Sequence, residues 1–261
     1  IPIIKEYLPQ GPLHTFIDAF GGGFNVGINI SAERVIYNDI NPFVEGLIQS
    51  FSLDTYKYLT YVSKLIQKYG LASDGTEGYV ELRNKYNSTP IPKRDPRMLY
   101  TLILYGFQQQ IRFNTNHGFN NPIGSRWFNE CLLSKFITFA RCSKSKNVEY
   151  LNVSFERLID QITPDTFVYA DPPYRSTLGV YNDGKRGFEG WTIEHEQRLC
   201  LFLDQIHQRE AKFMLSYVLQ VEDFYNADVA NWVERNGYHI IDIEVPQGRY
   251  NNRREVLIIN Y

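Results

Sequence analysis

Thr15-Phe16-Ile17-Asp18-Ala19-Phe20-Gly21-Gly22-Gly23 is the stretch from which the fold is read. An apolar run carrying an acid meets three successive glycines, the pattern of a buried strand entering a tight turn. Downstream, Phe24 to Ile30 is expected to begin a helix, and Arg34 to Tyr37 to form a second strand ended by Asn38-Asp39. Pro42 suits the first turn of another helix, which the apolar Phe43, Leu47, Ile48 and Phe51 continue.

Past residue 51 the strand–helix rhythm stops. Tyrosine-rich helical patterns run from Tyr56 to Tyr69 and from Gly78 to Tyr86, followed by a Pro/Lys/Arg loop from Pro90 to Arg97. A helix is expected from Met98 to Gln109, and the polar, turn-rich Arg112 to Gly124 reads as a hairpin or an exposed loop. We read 52–130 as an insert between two halves of one sheet.

The rhythm then returns. Val148 to Val153 and Phe167 to Ala170 read as strands, the latter running into Asp171-Pro172-Pro173-Tyr174. Thr192 to Gln208 has helical periodicity, Lys212 to Ser216 reads as a strand, and Ala227 to Asn236 as a helix with Gly237 as its cap. Two final strands, Tyr238 to Val245 and Glu255 to Asn260, flank a polar basic loop. Strands alternating with helices imply an α/β fold with a mostly parallel, Rossmann-like sheet, and the closing pair suits an antiparallel final strand.

Composition bounds the function. With 261 residues, 43% of them hydrophobic, the chain suffices for one large α/β domain or for a domain with a smaller insert. Its 19 Tyr and 17 Phe suit dense packing or base stacking. Nothing approaches the roughly 18 consecutive apolar residues of a membrane span, and no secretory pattern is present. Cys131, Cys142 and Cys200 are too scattered for a disulfide framework or a zinc site, and the histidines show no ligand spacing. A reduced, cytoplasmic, metal-free protein is expected. The net charge of −2 argues against a uniformly basic DNA binder and leaves room for a local basic cleft. The chain opens on Ile1 and not on Met, so its natural start is expected upstream.

A sulfonium cofactor needs a loop whose backbone it can approach closely and an acceptor for a ribose diol. Gly21-Gly22-Gly23 supplies the first, because glycine removes the side chain and permits unusual backbone angles. Asp39, at the end of the second strand, stands where open α/β sheets place a ribose-binding carboxylate. The bland alternatives are a mere turn for the glycines and a strand end or helix cap for Asp39. A nicotinamide cofactor is disfavoured: counted from Gly21, the sixth position of the dinucleotide fingerprint is Val26.

Asp171-Pro172-Pro173-Tyr174 arises by chance in a chain of this size about once in a thousand. As plain structure it is a strand-ending turn with a packing tyrosine. As chemistry every position has a task. An adenine amino nitrogen is a poor nucleophile, because its lone pair is delocalised into the ring. Two acceptors aimed at its hydrogens, the Asp171 carboxylate and the Pro172 carbonyl, favour a pyramidal nitrogen with a localised lone pair. Proline offers a carbonyl without a competing N–H and stiffens the loop. Tyr174 can stack on a base that has left the duplex. Transfer of a sulfonium methyl by in-line attack then draws its rate from positioning and electrostatics.

With these residues the sequence resembles the Dam-type (alpha-group) DNA adenine-N6 methyltransferases of bacteria and phages over nearly the whole chain. Asp18-Ala19-Phe20-Gly21-Gly22-Gly23 matches the family's cofactor motif, a strand ending in an acid followed by F-x-G-G or F-x-G-x-G. Phe24 stands where many members carry a further glycine, and phage-type members also have a large apolar residue there. The resemblance implies S-adenosyl-L-methionine as cofactor, with Asp18, Phe20, Gly21, Gly22, Gly23 and Asp171 around it and Asp39 on the ribose diol. Ser154-Phe155 is similar to the segment that meets the cofactor's adenine. Asp171, Pro172, Pro173 and Tyr174 would be catalytic.

The resemblance further implies a catalytic domain of 1–51 and 131–261 and a target-recognition domain of 52–130. Arg112-Phe113-Asn114 with Phe119-Asn120-Asn121-Pro122-Ile123-Gly124 resembles the recognition hairpin, which puts Arg112, Asn114 and Asn120 on double-stranded DNA. Arg112 is expected to read a guanine in the major groove; the alternative is a phosphate or a surface carboxylate. GATC or a related site is the leading guess, and a departure weakens it: many GATC-specific relatives have an Asn-Gly-Leu-like run where this chain has Gln108-Gln109-Gln110. Tyr181 is expected to flank the flipped base, with surface tyrosine as the rival reading. Arg249, Arg253 and Arg254 are placed in a DNA-facing loop before the last strand, against a solvated hairpin tip. A family Gly-Lys motif should lie just before Ile1, and the chain begins inside the helix that follows it.

The expected activity is site-specific adenine-N6 methylation, by a monomer with a restriction endonuclease as candidate companion. The rivals are an N4-cytosine DNA methyltransferase, whose tetrapeptide more often begins with serine, and a catalytically idle DNA-binding module of the same fold.

Overall fold

The computed structural model describes residues 1–71, 76–175, 191–243 and 253–261. These form two compact units, one of 1–41, 146–175, 191–243 and 253–261, the other of 42–71 and 76–145.

The first unit is built on an eight-stranded sheet. Its strands are β1 (Leu13–Asp18), β2 (Ala32–Asn38), β3 (Val148–Leu151), β4 (Thr166–Ala170), β5 (Lys212–Val221), β6 (Phe224–Tyr225), β7 (His239–Ile243) and β8 (Arg253–Ile259). They lie in the order β3-β2-β1-β4-β5-β8-β7, with β6 paired to β5. The pairs from β3 through to β5 are parallel, and β8 runs antiparallel to both β5 and β7. The expected mostly parallel sheet with an antiparallel end is thus the observed one. All five residues of β4 are buried, as a central parallel strand covered on both faces requires. Its chain order reverses between β1 and β4, and ligands of open α/β sheets bind outside the carboxyl ends of strands at such a switch point.

Among the described residues this unit carries the helices α1 (Pro2–Glu6), α7 (Ile193–Gln208) and α8 (Ala227–Asn236). α7 packs on β5, and it starts at Thr192 in a capping box with His195. α8 is capped by the Asn226 side chain and ends at Gly237 in the left-handed conformation (φ 67°), as the sequence leads one to expect.

The second unit holds α2 (Pro42–Ser50), α3 (Thr55–Lys68), α4 (Thr76–Ser88), α5 (Pro96–Tyr105) and α6 (Glu130–Ser145). Its core is aromatic: Tyr58, Tyr79, Tyr86, Phe113 and Phe119 are fully buried. Leu47 of α2 and Phe136 and Ala140 of α6 complete that core. For this reason the compact unit extends beyond 52–130 on both sides.

Four local readings need correction. Phe24 to Ile30 forms no α-helix, because Phe24 takes a left-handed backbone (φ 58°) and only a 3-10 turn, Gly27–Asn29, follows. The helix expected to reach Gln109 stops at Tyr105, since Gln108 (φ 50°) and Gln109 (φ 56°) leave helical geometry. There Phe107 N–H donates to the Pro122 carbonyl and Gly124 N–H to the Tyr105 carbonyl, both at 2.8 Å. β5 continues to Val221 because β8 pairs along it. Arg253 and Arg254 stand on β8 and not in a loop. No helix among the described residues is long and apolar enough to cross a membrane.

Candidate active site

β1 and β4 are neighbours with Asp18 opposite Tyr169, and Ala19 N–H donates to the Tyr169 carbonyl at 2.9 Å. The glycine turn and Asp171 therefore leave the sheet side by side, at the carboxyl ends of adjacent strands.

The end of β2 fastens the glycine turn. Gly21 N–H donates to the Asn38 carbonyl at 2.7 Å, and Gly22 N–H to Asp39 Oδ2 at 2.9 Å. The Tyr37 hydroxyl donates to the Gly22 carbonyl at 2.8 Å. Asp39 Oδ1 also accepts from the Asn41 N–H at 2.7 Å, so Asp39 organises its own turn as well as its neighbour's. Asn38 bridges in the same way, donating to the Ala19 carbonyl at 3.0 Å and accepting from Val153 N–H at 3.1 Å. A Cβ on Gly21 would lie 2.3 Å from the Tyr37 ring, and Gly22 has φ 47°, so two of the three glycines are required by close approach and by backbone angle.

Asp18 is buried beneath this turn, and its Oδ2 accepts from Gly27 N–H at 2.9 Å. Burial pushes its carboxyl up to about 7; the Gly27 bond opposes the shift, while the charges of Asp171 and Asp39 add to it. Beside the turn the Phe20 ring lies 5.3 Å from Phe155 and 5.8 Å from Trp191. Ser154 stands at the N-cap position of the 3-10 turn Phe155–Gln161, and its hydroxyl donates to the Glu156 carboxylate and not to the turn's backbone. Trp191 is 3% exposed, and its Nε1–H is a buried donor with no hydrogen-bond partner among the described residues.

Asp171 reaches solvent, yet the protein around it raises its carboxyl above the ordinary range, chiefly by desolvation. The Tyr174 hydroxyl donates to Asp171 Oδ1 and pulls the other way; the charge of Glu255 raises it again. Pro172 is buried, and Pro173 and Tyr174 are half-buried. The Tyr174 ring meets Tyr217 edge-on, with centroids 5.6 Å apart.

A close-approach glycine cradle, a carboxylate at the neighbouring strand end and an orphaned indole donor fit a nucleoside-bearing ligand. The chain matches the family described as D12 class N6 adenine-specific DNA methyltransferase over residues 1–247. It belongs to that family.

Three relatives of this D12-class chain give the scale. Type II methyltransferase M.FokI of Planomicrobium okeanokoites is 35% identical over 99% of this chain and 41% of its own length. Modification methylase LlaI of Lactococcus lactis subsp. lactis is 36% identical over 100% of this chain and 41% of its own. The DNA adenine methylase of Escherichia coli (strain K12) is 23% identical over 92% of this chain and 82% of its own. The chain thus spans about two fifths of the length of the first two.

Of the residues singled out from the sequence of this D12-class chain, Asp18, Phe20, Gly21, Gly22, Gly23, Asp39, Ser154, Phe155 and Asp171 to Tyr174 belong to the first unit. Arg112, Asn114 and Asn120 belong to the second, on a short hairpin closed by a Phe113–Phe119 bridge. Asn120 N–H donates to the Arg112 carbonyl at 3.0 Å, and Arg112 itself is exposed. Asn114 Oδ1 accepts from the N–H groups of Asn116 and Gly118, so this side chain shapes the turn. Arg253 pairs with Glu255 at 2.5 Å and Arg254 with Asp242 at 2.6 Å. Tyr181 and Arg249 lie outside the described residues. Sequence reasoning missed Tyr37 and Trp191, which carry no motif, and treated Asn38 only as a strand end. A polar residue closing the apolar run Val35-Ile36-Tyr37 was the available signal for Asn38.

Proposed function

We propose that this chain methylates the N6 amino group of adenine at specific sites in double-stranded DNA, with S-adenosyl-L-methionine as methyl donor. The observation that carries the reading is the adjacency of two loops: the glycine turn after β1 and Asp171-Pro172-Pro173-Tyr174 after β4.

The Gly21–Gly23 backbone and Asp39 would hold the donor, with Phe20, Phe155 and Trp191 beside its purine. When bound, S-adenosyl-L-methionine supplies a methyl carbon made electrophilic by its sulfonium. Asp171 and the Pro172 carbonyl accept the two amino hydrogens of an everted adenine and so localise the nitrogen lone pair. A carboxyl held above its ordinary range is a stronger acceptor for this task than an unperturbed one. The Tyr174 ring takes the base against its face, in place of the stacking lost on leaving the duplex. Its hydroxyl, which donates to Asp171, keeps the carboxylate oriented while no base is present. The carboxylates Asp18, Asp39 and Asp171 cluster at one sheet edge, an environment that favours a cationic donor.

Arg112 on its hairpin is proposed to read the site, with Asn114 and Asn120 supporting the hairpin. The chain is proposed to act as a monomer. A companion endonuclease is a reasonable partner to seek, since two relatives are named a type II methyltransferase and a modification methylase.

The test uses DNA carrying GATC among random sites, with methyl-labelled S-adenosyl-L-methionine and digestion of the product to nucleosides. Label in N6-methyl-2′-deoxyadenosine is expected. Label only in N4-methyl-2′-deoxycytidine overturns the choice of base, and no label despite bound donor overturns the activity. Sequencing of methylated sites in DNA from expressing cells then gives the recognition sequence.

A further inference from the structure

Directly after the tetrapeptide comes Arg175, and its side chain does not point to open solvent. Its Nη1 lies 3.3 Å from Glu196 Oε2 and 3.5 Å from Asp228 Oδ2, and the guanidinium stands over the Phe224 ring at 5.4 Å. Glu196, on α7, is 3% exposed. Its other oxygen, Oε1, accepts from Asn226 Nδ2 at 2.9 Å and from the Tyr217 hydroxyl. Asn226 Nδ2 also lies 3.0 Å from that hydroxyl, and Asn226 Oδ1 caps α8.

A carboxylate buried this deeply is costly unless each oxygen is paired, and such a buried ion pair is weak evidence of a contribution to stability. What the arrangement does is restrain one residue from two sides. Through Arg175, Glu196 grips the main chain one residue beyond Tyr174. Through Tyr217, whose ring meets the Tyr174 ring edge-on at 5.6 Å, it fixes the surface against which that ring rests. The elements involved, β5, α7 and α8, are regular structure, which positions groups more closely than a loop can.

We propose that Glu196 is a positioning residue for Tyr174, holding its ring at the angle that receives the everted base, with Arg175 and Tyr217 as the two links. This rests on the reading of Tyr174 given under Proposed function. The role explains why a charged pair with a deeply buried carboxylate stands directly behind the tetrapeptide. A misplacement on the ångström scale at such a group costs up to about 100-fold in rate, without weakening a donor bound elsewhere.

The test is a double-mutant cycle on single-turnover rate, with donor affinity and thermal unfolding measured alongside. Glu196→Gln keeps the shape and removes the charge; Arg175→Gln and Tyr217→Phe break each link separately and serve if Glu196→Gln fails to fold. In the wild-type background each is expected to slow transfer, Glu196→Gln by about 10- to 100-fold, with donor affinity within about twofold. In a Tyr174→Ala background the same substitutions are expected to cost nothing further, because the ring they position is gone. Enhanced fluorescence of 2-aminopurine at the target position, a signature of eversion, is expected to persist in Glu196→Gln with an altered lifetime. Losses that add fully to that of Tyr174→Ala, or Arg175→Gln and Tyr217→Phe both turning over at the wild-type rate, overturn the positioning role. If Tyr174→Ala itself turns over normally, the reading of the tetrapeptide has failed, and the positioning role with it.

Discussion

Asp18 ends β1 and Asp171 directly follows its parallel neighbour β4, and the charge of Asp171 adds to burial in pushing the Asp18 carboxyl up to about 7. Asp39 contributes a third, smaller push. The carboxyl edge of the sheet therefore stores electrostatic repulsion that a cation placed between these groups relieves.

A pH-dependent stability follows from Asp18. Its folded pKa of about 7 lies above the ordinary 3.8, so the folded chain retains a proton that the unfolded chain gives up. That contribution is fully present below the unfolded value and is lost as pH rises through the folded one. Asp18→Asn keeps an oxygen for Gly27 N–H and removes the ionisation. Between about pH 5 and about pH 8 the wild type is expected to lose several degrees of Tm relative to Asp18→Asn. Parallel melting curves across that window leave the repulsion argument without support.

Asp171→Ala is expected to reduce methyl transfer by at least about 100-fold, since it removes the acceptor that the proposed function assigns to the reacting nitrogen. Donor binding, read by thermal shift with S-adenosyl-L-methionine, should stay close to wild type because the glycine turn and Asp39 are untouched. Near-normal turnover in this variant would remove the assigned role.

Gly21→Ala tests the fit between the turn and β2. The added methyl would stand 2.3 Å from the Tyr37 ring, which is itself buried and bonded to the Gly22 carbonyl. A destabilisation of about 1–3 kcal/mol is expected in denaturant titration, as for other overpacked sites. Donor affinity should fall with it. Combining Gly21→Ala with Tyr37→Leu should cost less than the sum of the two, and strict additivity would locate the strain elsewhere.

The parts of the fold that were legible in the sequence are those whose burial leaves a one-dimensional trace. Phe167 to Ala170 reads as a strand because a central parallel strand is apolar on both faces. Phe24 to Ile30 misleads because its apolar residues pack from a loop: Phe24 sets its ring edge-on to Tyr37, 5.0 Å away, and Ile30 is buried without any helical repeat behind it. Gln108 and Gln109 end α5 through left-handed backbone that neither propensity nor pattern announces. The candidate site divides in the same way. Gly21 to Gly23 and Asp171 to Tyr174 are contiguous and carry their chemistry on their face. Arg175, Glu196, Tyr217 and Asn226 come from four places in the chain, and the strand order together with the packing of α7 and α8 on β5 brings them together.

Arg112 separates two modes of contact with DNA. It is exposed on the hairpin whose Arg112 carbonyl and Asn120 N–H are paired, so the side chain can be altered without disturbing the backbone bond. A guanidinium offers two parallel donors that match guanine O6 and N7, whereas an ammonium offers a point charge. If Arg112 reads a base, Arg112→Ala should lose about 1–3 kcal/mol of discrimination at one base pair, and Arg112→Lys should fail to restore it. If it holds a phosphate, Arg112→Ala should weaken all sites alike and lower the salt slope by about one, and Arg112→Lys should recover most of the loss. Measuring kcat/KM on the cognate site and its single-base variants at two salt concentrations distinguishes the modes. We expect the first pattern; a uniform loss rescued by lysine would assign Arg112 to the DNA backbone and move site reading to another residue.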